Sequence, residues 1–117
     1  MGDPEPEIIA TLRALAVADG AAIDGLLGPS SENLEESGLD ARTHALVRFA
    51  ALVALGAPGE SFRREVERAV NRGASMDDLL GALIAAAPQV GAPRLIWASR
   101  ELLEALGTAT PGLCRDG

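Results

Sequence analysis

The side chains best suited to chemistry in this sequence are His44 and Arg48, which lie four residues apart in an apolar stretch. At helical spacing they project from one face, and a cation between apolar neighbours needs an anion. One hypothesis is a pocket in which Arg48 holds a substrate carboxylate while His44 or Glu65 moves a proton, because histidine titrates near neutral pH and burial raises the pKa of a glutamate. The alternative is structural: Arg48 pairs with an acidic residue of its own or a neighbouring subunit, and His44 caps a helix or contacts solvent.

Glu65 and Ser61 fall on the next predicted helix, and each also has two interpretations. Glu65 belongs to the charged segment Glu60–Arg68, which is typical of a solvated face or a subunit contact as well as of a catalytic group. Ser61 stands near the helix start, and the sequence assigns it no base, orienting group or oxyanion donor. Trp97 is predicted to serve packing or an oligomer contact rather than to stack on a ligand.

The content of cysteine and histidine argues against thiol redox and metal chemistry. The chain has one cysteine, Cys114, and one histidine, whereas dithiol peroxide reduction needs an attacking thiolate and a second, resolving thiol. One imidazole without a cysteine pair or an acidic cluster at ligand spacing does not make a zinc or calcium site. We therefore expect no thiol peroxidase activity, no metal and no other cofactor, and we favour an exposed Cys114 without a role over a disulfide between chains.

Composition predicts a single all-α domain. The 117 residues are 48% hydrophobic but only 3% aromatic, with no tyrosine, so a core must be built from small aliphatic side chains, as closely packed helices allow. The net charge of -7 argues against nucleic acid and an anionic membrane as partners, because both attract basic proteins. With no secretory signal pattern and no uncharged apolar run of spanning length, we expect a cytoplasmic protein.

Hydrophobic periodicity predicts about five to six helices. The first covers 5–18, a short apolar segment follows at 23–27, and the turn formers and acidic residues of 28–38 predict an exposed, mobile loop. Asp40 is predicted to cap a central helix that is apolar on all sides and ends at Leu55. A charged amphipathic helix then covers 60–72, with Gly73 just beyond its end.

Two more helices complete the prediction. Ser75 and Asp78 form a short capping box for a helix over 76–87, which Pro88 should end or kink because proline has no amide donor. The last helix covers 94–106, with Pro93 in its first turn. Residues 108–117, which include Cys114, lack helical periodicity and are predicted to form a flexible tail.

From Leu39 to Leu106 the order of these features resembles the carboxymuconolactone decarboxylase and alkylhydroperoxidase D-like family. The resemblance rests on "LDARTHALVRFAALVALG", "RAVNRGAS" and "VGAP" at their joint spacing. It implies an orthogonal helical bundle that assembles into trimers or hexamers, with 1–38 as additional N-terminal helices and loop. It also implies lyase or related chemistry on a small carboxylate or lactone.

The reactive positions of the family differ in this chain. The Cys-x-x-Cys pair and the histidine one turn later match Pro58, Ser61 and Glu65, and the upstream glutamate matches Ala45. The aromatic residue of the family's connector before the last helix matches Gln89. Ser61 and Gln89 join Arg48 as candidate ligand-binding residues, and Glu65 and His44 are the candidate catalytic ones. The resemblance thus predicts a diverged member with altered catalytic residues, and the alternative is a non-catalytic oligomeric module that binds a ligand or scaffolds a partner.

Overall fold

The structure, a computed structural model, describes residues 5–107, which form seven α-helices and no strand. The all-α prediction is confirmed, whereas the predicted number of five to six helices is too low. The predicted tail at 108–117, with Cys114, lies outside the described residues. Contacts group the described chain into two units that meet at Leu39 and Asp40, and no described helix is long and apolar enough to cross a membrane.

The first unit contains three short helices: α1 (Pro6–Ala16), α2 (Gly20–Leu26) and α3 (Ser30–Ser37). The Asp19 carboxylate caps α2 by accepting a hydrogen bond from the Ala22 amide at 3.0 Å, and the Asn33 side chain donates to the Leu26 carbonyl at 2.9 Å. No residue of these three helices is buried.

The predicted loop at 28–38 is wrong, because this segment contains α3. Its sequence, "SSENLEES", has no apolar stripe, and Leu34 is its one large hydrophobic residue. Backbone geometry defines both ends instead: Pro29 precedes the first turn, and Gly38 ends the helix in the left-handed region at φ 69°. A helix that is defined by the residues at its two ends shows little hydrophobic periodicity, so its sequence does not indicate a helix.

The second unit contains α4 (Ala41–Leu55), α5 (Gly59–Asn71), α6 (Met76–Val90) and α7 (Ala92–Ala105). Helix α4 packs against the other three, which confirms its predicted central place. Its fully buried Phe49 meets Phe62 of α5 with ring centroids 5.4 Å apart. Phe62 in turn meets Trp97 of α7 edge-on at 5.3 Å, so the predicted packing role of Trp97 is confirmed.

The predicted N-terminal caps of α4 and α6 are also confirmed. Asp40 caps α4 by accepting from the Thr43 amide at 2.8 Å, and Ser75 and Asp78 form both hydrogen bonds of a capping box at α6. Asp78 further pairs with Arg42 of α4, whose Nε donates to Oδ2 at 2.7 Å. The pKa of Asp78 is lowered, chiefly by this hydrogen bond from Arg42 and then by the Ser75 amide.

Of the two predicted effects of Pro88, an end or a kink of the helix, the end is wrong, since α6 continues to Val90. Proline removes one hydrogen bond, and here that bond lies near the end of the helix, where few later bonds depend on it. Val90 packs against the core and the Gly91 amide donates to the Ala87 carbonyl at 3.1 Å. These contacts hold the last turn in place.

Candidate binding pocket between two helices

An ion pair between a half-buried arginine and a buried glutamate joins α4 to α5. Arg48 lies in the middle of α4 and donates from Nε to Oε1 of Glu65 at 2.8 Å. The Glu65 residue is 4% exposed, although it lies on the most highly charged helix of the unit. A carboxylate this deep requires a partner, because an unpaired buried charge is costly.

A second arginine engages the other oxygen of the same carboxylate. Arg68, three residues further along α5, places Nη1 3.4 Å from Oε2 of Glu65. Both oxygens of Glu65 therefore have a guanidinium neighbour. In this arrangement the carboxylate of Glu65 orients two cations.

An open pocket of about 410 Å³ lies over this pair. Its polar lining consists of Glu65, Ser61 and three arginines, namely Arg48, Arg64 and Arg68, and its apolar lining comes from two residues of α4, Ala51 and Leu52. Arg64 also pairs with the exposed Glu60 at 2.7 Å. Among the lining residues three cations face one carboxylate, so the pocket favours an anion.

His44 is buried beside the pocket but does not line it. It is 3% exposed, and its Nδ1 lies 3.4 Å from Nη1 of Arg72. Because a guanidinium can only donate, Nδ1 accepts, which places the proton of the neutral ring on Nε2. Burial lowers the pKa of His44 below its usual value, and the charges of Arg48 and Arg72 lower it further against an opposing effect of Glu65.

The structure brings together three of the five predicted site residues: Arg48, Glu65 and Ser61. The Ser61 hydroxyl makes no hydrogen bond to any described residue, so no base activates it as a nucleophile. Gln89 is exposed near the end of α6 and does not line the pocket. Within 5–107 no group of three or more histidine, cysteine or acidic side chains is placed to hold a metal.

Sequence reasoning missed two of the lining arginines. Ser61, Arg64, Glu65 and Arg68 recur at i, i+3, i+4 and i+7, the spacing of one helix face. This signal is present in the sequence. It was obscured because charged residues on an amphipathic helix normally mark its solvated side.

The sequence profile of the Carboxymuconolactone decarboxylase family (CMD) matches residues 30–105, which is about two thirds of the chain and includes α3 to α7. Neither the curated proteins nor the solved structures include a match to this chain.

Proposed function

Because the chain belongs to the carboxymuconolactone decarboxylase family, we propose that it is a diverged member that binds a small acidic metabolite between α4 and α5. We also propose that its helices are arranged as the orthogonal bundle of alkylhydroperoxidase D-like proteins. The observation that carries it is the pair of Arg48 with the buried Glu65 at an open pocket, with Arg64 and Arg68 around it. The matched family profile makes a small-molecule site on this scaffold the default expectation.

The ligand we propose is a dicarboxylate, or a carboxylate with a second polar group such as a lactone. Glu65 occupies Nε of Arg48, which leaves both terminal Nη groups of that guanidinium for a ligand carboxylate. Arg64 and Arg68 at the more exposed side of the pocket suit a second oxygen group. Ala51 and Leu52 offer a short apolar wall, which fits a small carbon skeleton between the two polar ends.

Turnover at this site would run through Glu65, the one carboxylate of the lining. A ligand carboxylate that draws Arg68 away from Oε2 would free that oxygen to take or return a proton at a ligand carbon or oxygen. His44 stands outside the lining with Nδ1 engaged by Arg72, so the proposal gives it a supporting position beside Arg48. The class of reaction is that of the family, lyase or related chemistry on an acidic metabolite.

A thermal-shift screen of dicarboxylates and of carboxylates that carry a lactone tests the binding site. A ligand at about 100 times its dissociation constant stabilises the fold by about 2.7 kcal/mol. We expect a carboxylate-selective shift in the wild type and in Arg100→Gln, an exposed control on α7. The shift should be lost in Arg48→Leu. It should be reduced in Arg64→Gln, which alters an exposed lining residue and leaves the Arg48–Glu65 pair intact. No shift with any of these compounds, or equal shifts in all four proteins, would contradict the proposal.

The second candidate function is a non-catalytic module that self-associates to bind a ligand or scaffold a partner. It is favoured by large apolar side chains that the second unit leaves exposed: Val47, Leu55, Leu80, Ile84 and Ile96. Together with the family match they support a trimer or hexamer, and a solution mass of one chain by light scattering would count against it. Turnover of a screening hit that Glu65→Gln abolishes, with folding intact, would favour the enzyme over this candidate.

A further inference from the structure

A second pocket of about 440 Å³ lies at the start of α7, away from the Glu65 site. Its lining comes from three helices of the second unit: Gly56 ends α4, Val90 ends α6, and Pro93, Arg94 and Trp97 belong to the first turns of α7. None of these residues lines the pocket between α4 and α5. The function proposed above makes no use of them.

The pocket contains a cation with its donors unused. Arg94 forms no hydrogen bond or ion pair with any other residue of the described range. Its guanidinium lies against Gly56, where a Cβ would collide with Nη1. The carbonyl end of α4 is the negative end of that helix and attracts the guanidinium. Arg94 is thereby held at the pocket with its hydrogen-bond donors free for a ligand.

The remainder of the lining is apolar and is fixed by the core. Trp97 is half-buried, and its ring meets the fully buried Phe62 edge-on at 5.3 Å. Val90 packs against the same core, and Pro93 has a rigid ring. A ligand that enters this pocket therefore meets a preformed wall with an indole, and little ordering is needed on binding.

We propose that this pocket binds a monocarboxylate with an apolar body, such as an aromatic or branched aliphatic acid. Arg94 receives the carboxylate, and the body lies against Trp97, Val90 and Pro93. The amide end of α7 adds positive potential on the same side. The chemistry differs from that of the first pocket, where three arginines around a carboxylate suit a ligand with two polar ends. One cation beside an indole suits a single negative charge.

The chain provides its own probe, because Trp97 is its only tryptophan. Benzoate and isovalerate are titrated against the full chain, with Trp97 emission excited at the red edge of the indole band, where neither acid absorbs. We expect a saturable change with both acids, and none with benzyl alcohol, which lacks the charge, or acetate, which lacks the body. Arg94→Gln should raise the dissociation constant for both acids by at least about tenfold, because a charge-assisted hydrogen bond is lost.

Two controls make the result specific. Arg100→Gln changes another exposed arginine of α7 and should bind benzoate as the wild type does, and Arg48→Leu tests whether the Glu65 pocket contributes. Equal affinity in Arg94→Gln and wild type, a linear quench without saturation, or loss of binding in Arg48→Leu alone would each overturn the proposal. Isothermal titration with the same proteins checks the affinities without relying on the indole signal.

Discussion

The two units of the chain are both helical, but they differ in how many side chains they bury. In α1–α3 no residue is buried, and Leu12 is 59% exposed. In α4–α7 the side chains of Phe49 and Phe62 are fully buried and in contact. Helices of 7 to 11 residues are marginal by themselves in water. The comparison teaches that the free energy of folding resides in α4–α7, which also contain both candidate pockets.

The largest expected effect is a difference in stability between a substitution in the second unit and one in the first. Phe62→Ala should destabilise the protein by about 3–5 kcal/mol, because it removes a fully buried ring that touches both Phe49 and Trp97. Leu12→Ala, which changes a side chain exposed in α1, should change the free energy of unfolding by less than about 0.5 kcal/mol. Urea denaturation followed by Trp97 fluorescence measures both. Similar losses in the two variants would show that α1 contributes to the stability of the second unit.

A glycine-to-alanine substitution should lower the free energy of unfolding at a helix end in the second unit and raise the stability of a helix in the first unit. Gly56 ends α4 at φ 63°, and a Cβ there meets Arg94, so Gly56→Ala should cost about 1–2 kcal/mol. Gly25 lies inside α2 with open space around its Cα, so Gly25→Ala should stabilise that helix by about 0.5–1 kcal/mol. Denaturation curves give the first value, and amide hydrogen exchange within α2 gives the second. A stabilised Gly56→Ala protein would contradict the left-handed helix end.

The smallest expected effect is a pH dependence confined to the second unit, which holds the one histidine of the chain. Because the pKa of His44 is lower in the folded state, the unfolded chain binds more protons between the two pKa values. The free energy of unfolding should therefore fall as pH falls from about 6.5 towards the pKa of His44 in the folded state. The slope should be smaller than about 1.4 kcal/mol per pH unit, the value for uptake of one whole proton on unfolding.

Urea denaturation at pH 7.5, 6.5 and 5.5 measures this dependence, and His44→Gln should flatten it. The hydrogen-bonded carboxylates of Asp40 and Asp78 have lowered pKa values, so their contributions to stability are lost only at lower pH. An unchanged slope in His44→Gln would assign the dependence to other groups.

The sequence predicted the presence of α4–α7 because each of these helices has an apolar pattern, and α4 and α6 also have a readable N-terminal cap. Asp40 and Ser75 stand before long apolar segments, and their side chains make the predicted hydrogen bonds. The sequence failed at α3, whose "SSENLEES" lacks a hydrophobic stripe. It also failed at Pro88, where core packing by Val90 outweighs the loss of one helical hydrogen bond.

The candidate site was predictable as a set of residue types and less so as an arrangement. Arg48 needed an anion because of its apolar neighbours, and Glu65 provides it within the same chain, as the structural alternative anticipated. The absence of His44 from the pocket lining depends on how α4 packs against α5. Helical spacing alone groups His44 with Arg48, and only the packed pair of helices shows that the pocket opens over Arg48 and leaves His44 beside Arg72.

The proline inside α6 also limits what can cover that helix. Since Pro88 has no amide hydrogen, the carbonyl oxygen of Ile84 lacks its usual helical donor. Ile84 is 62% exposed, so its carbonyl oxygen lies beside an exposed apolar side chain that a protein partner could cover. A partner surface that is entirely apolar would bury this carbonyl oxygen without a hydrogen bond, at a cost of about 1–3 kcal/mol. Any protein surface that seals this stretch of α6 must bring a hydroxyl, amide or ammonium group to that point, or trap a water molecule there.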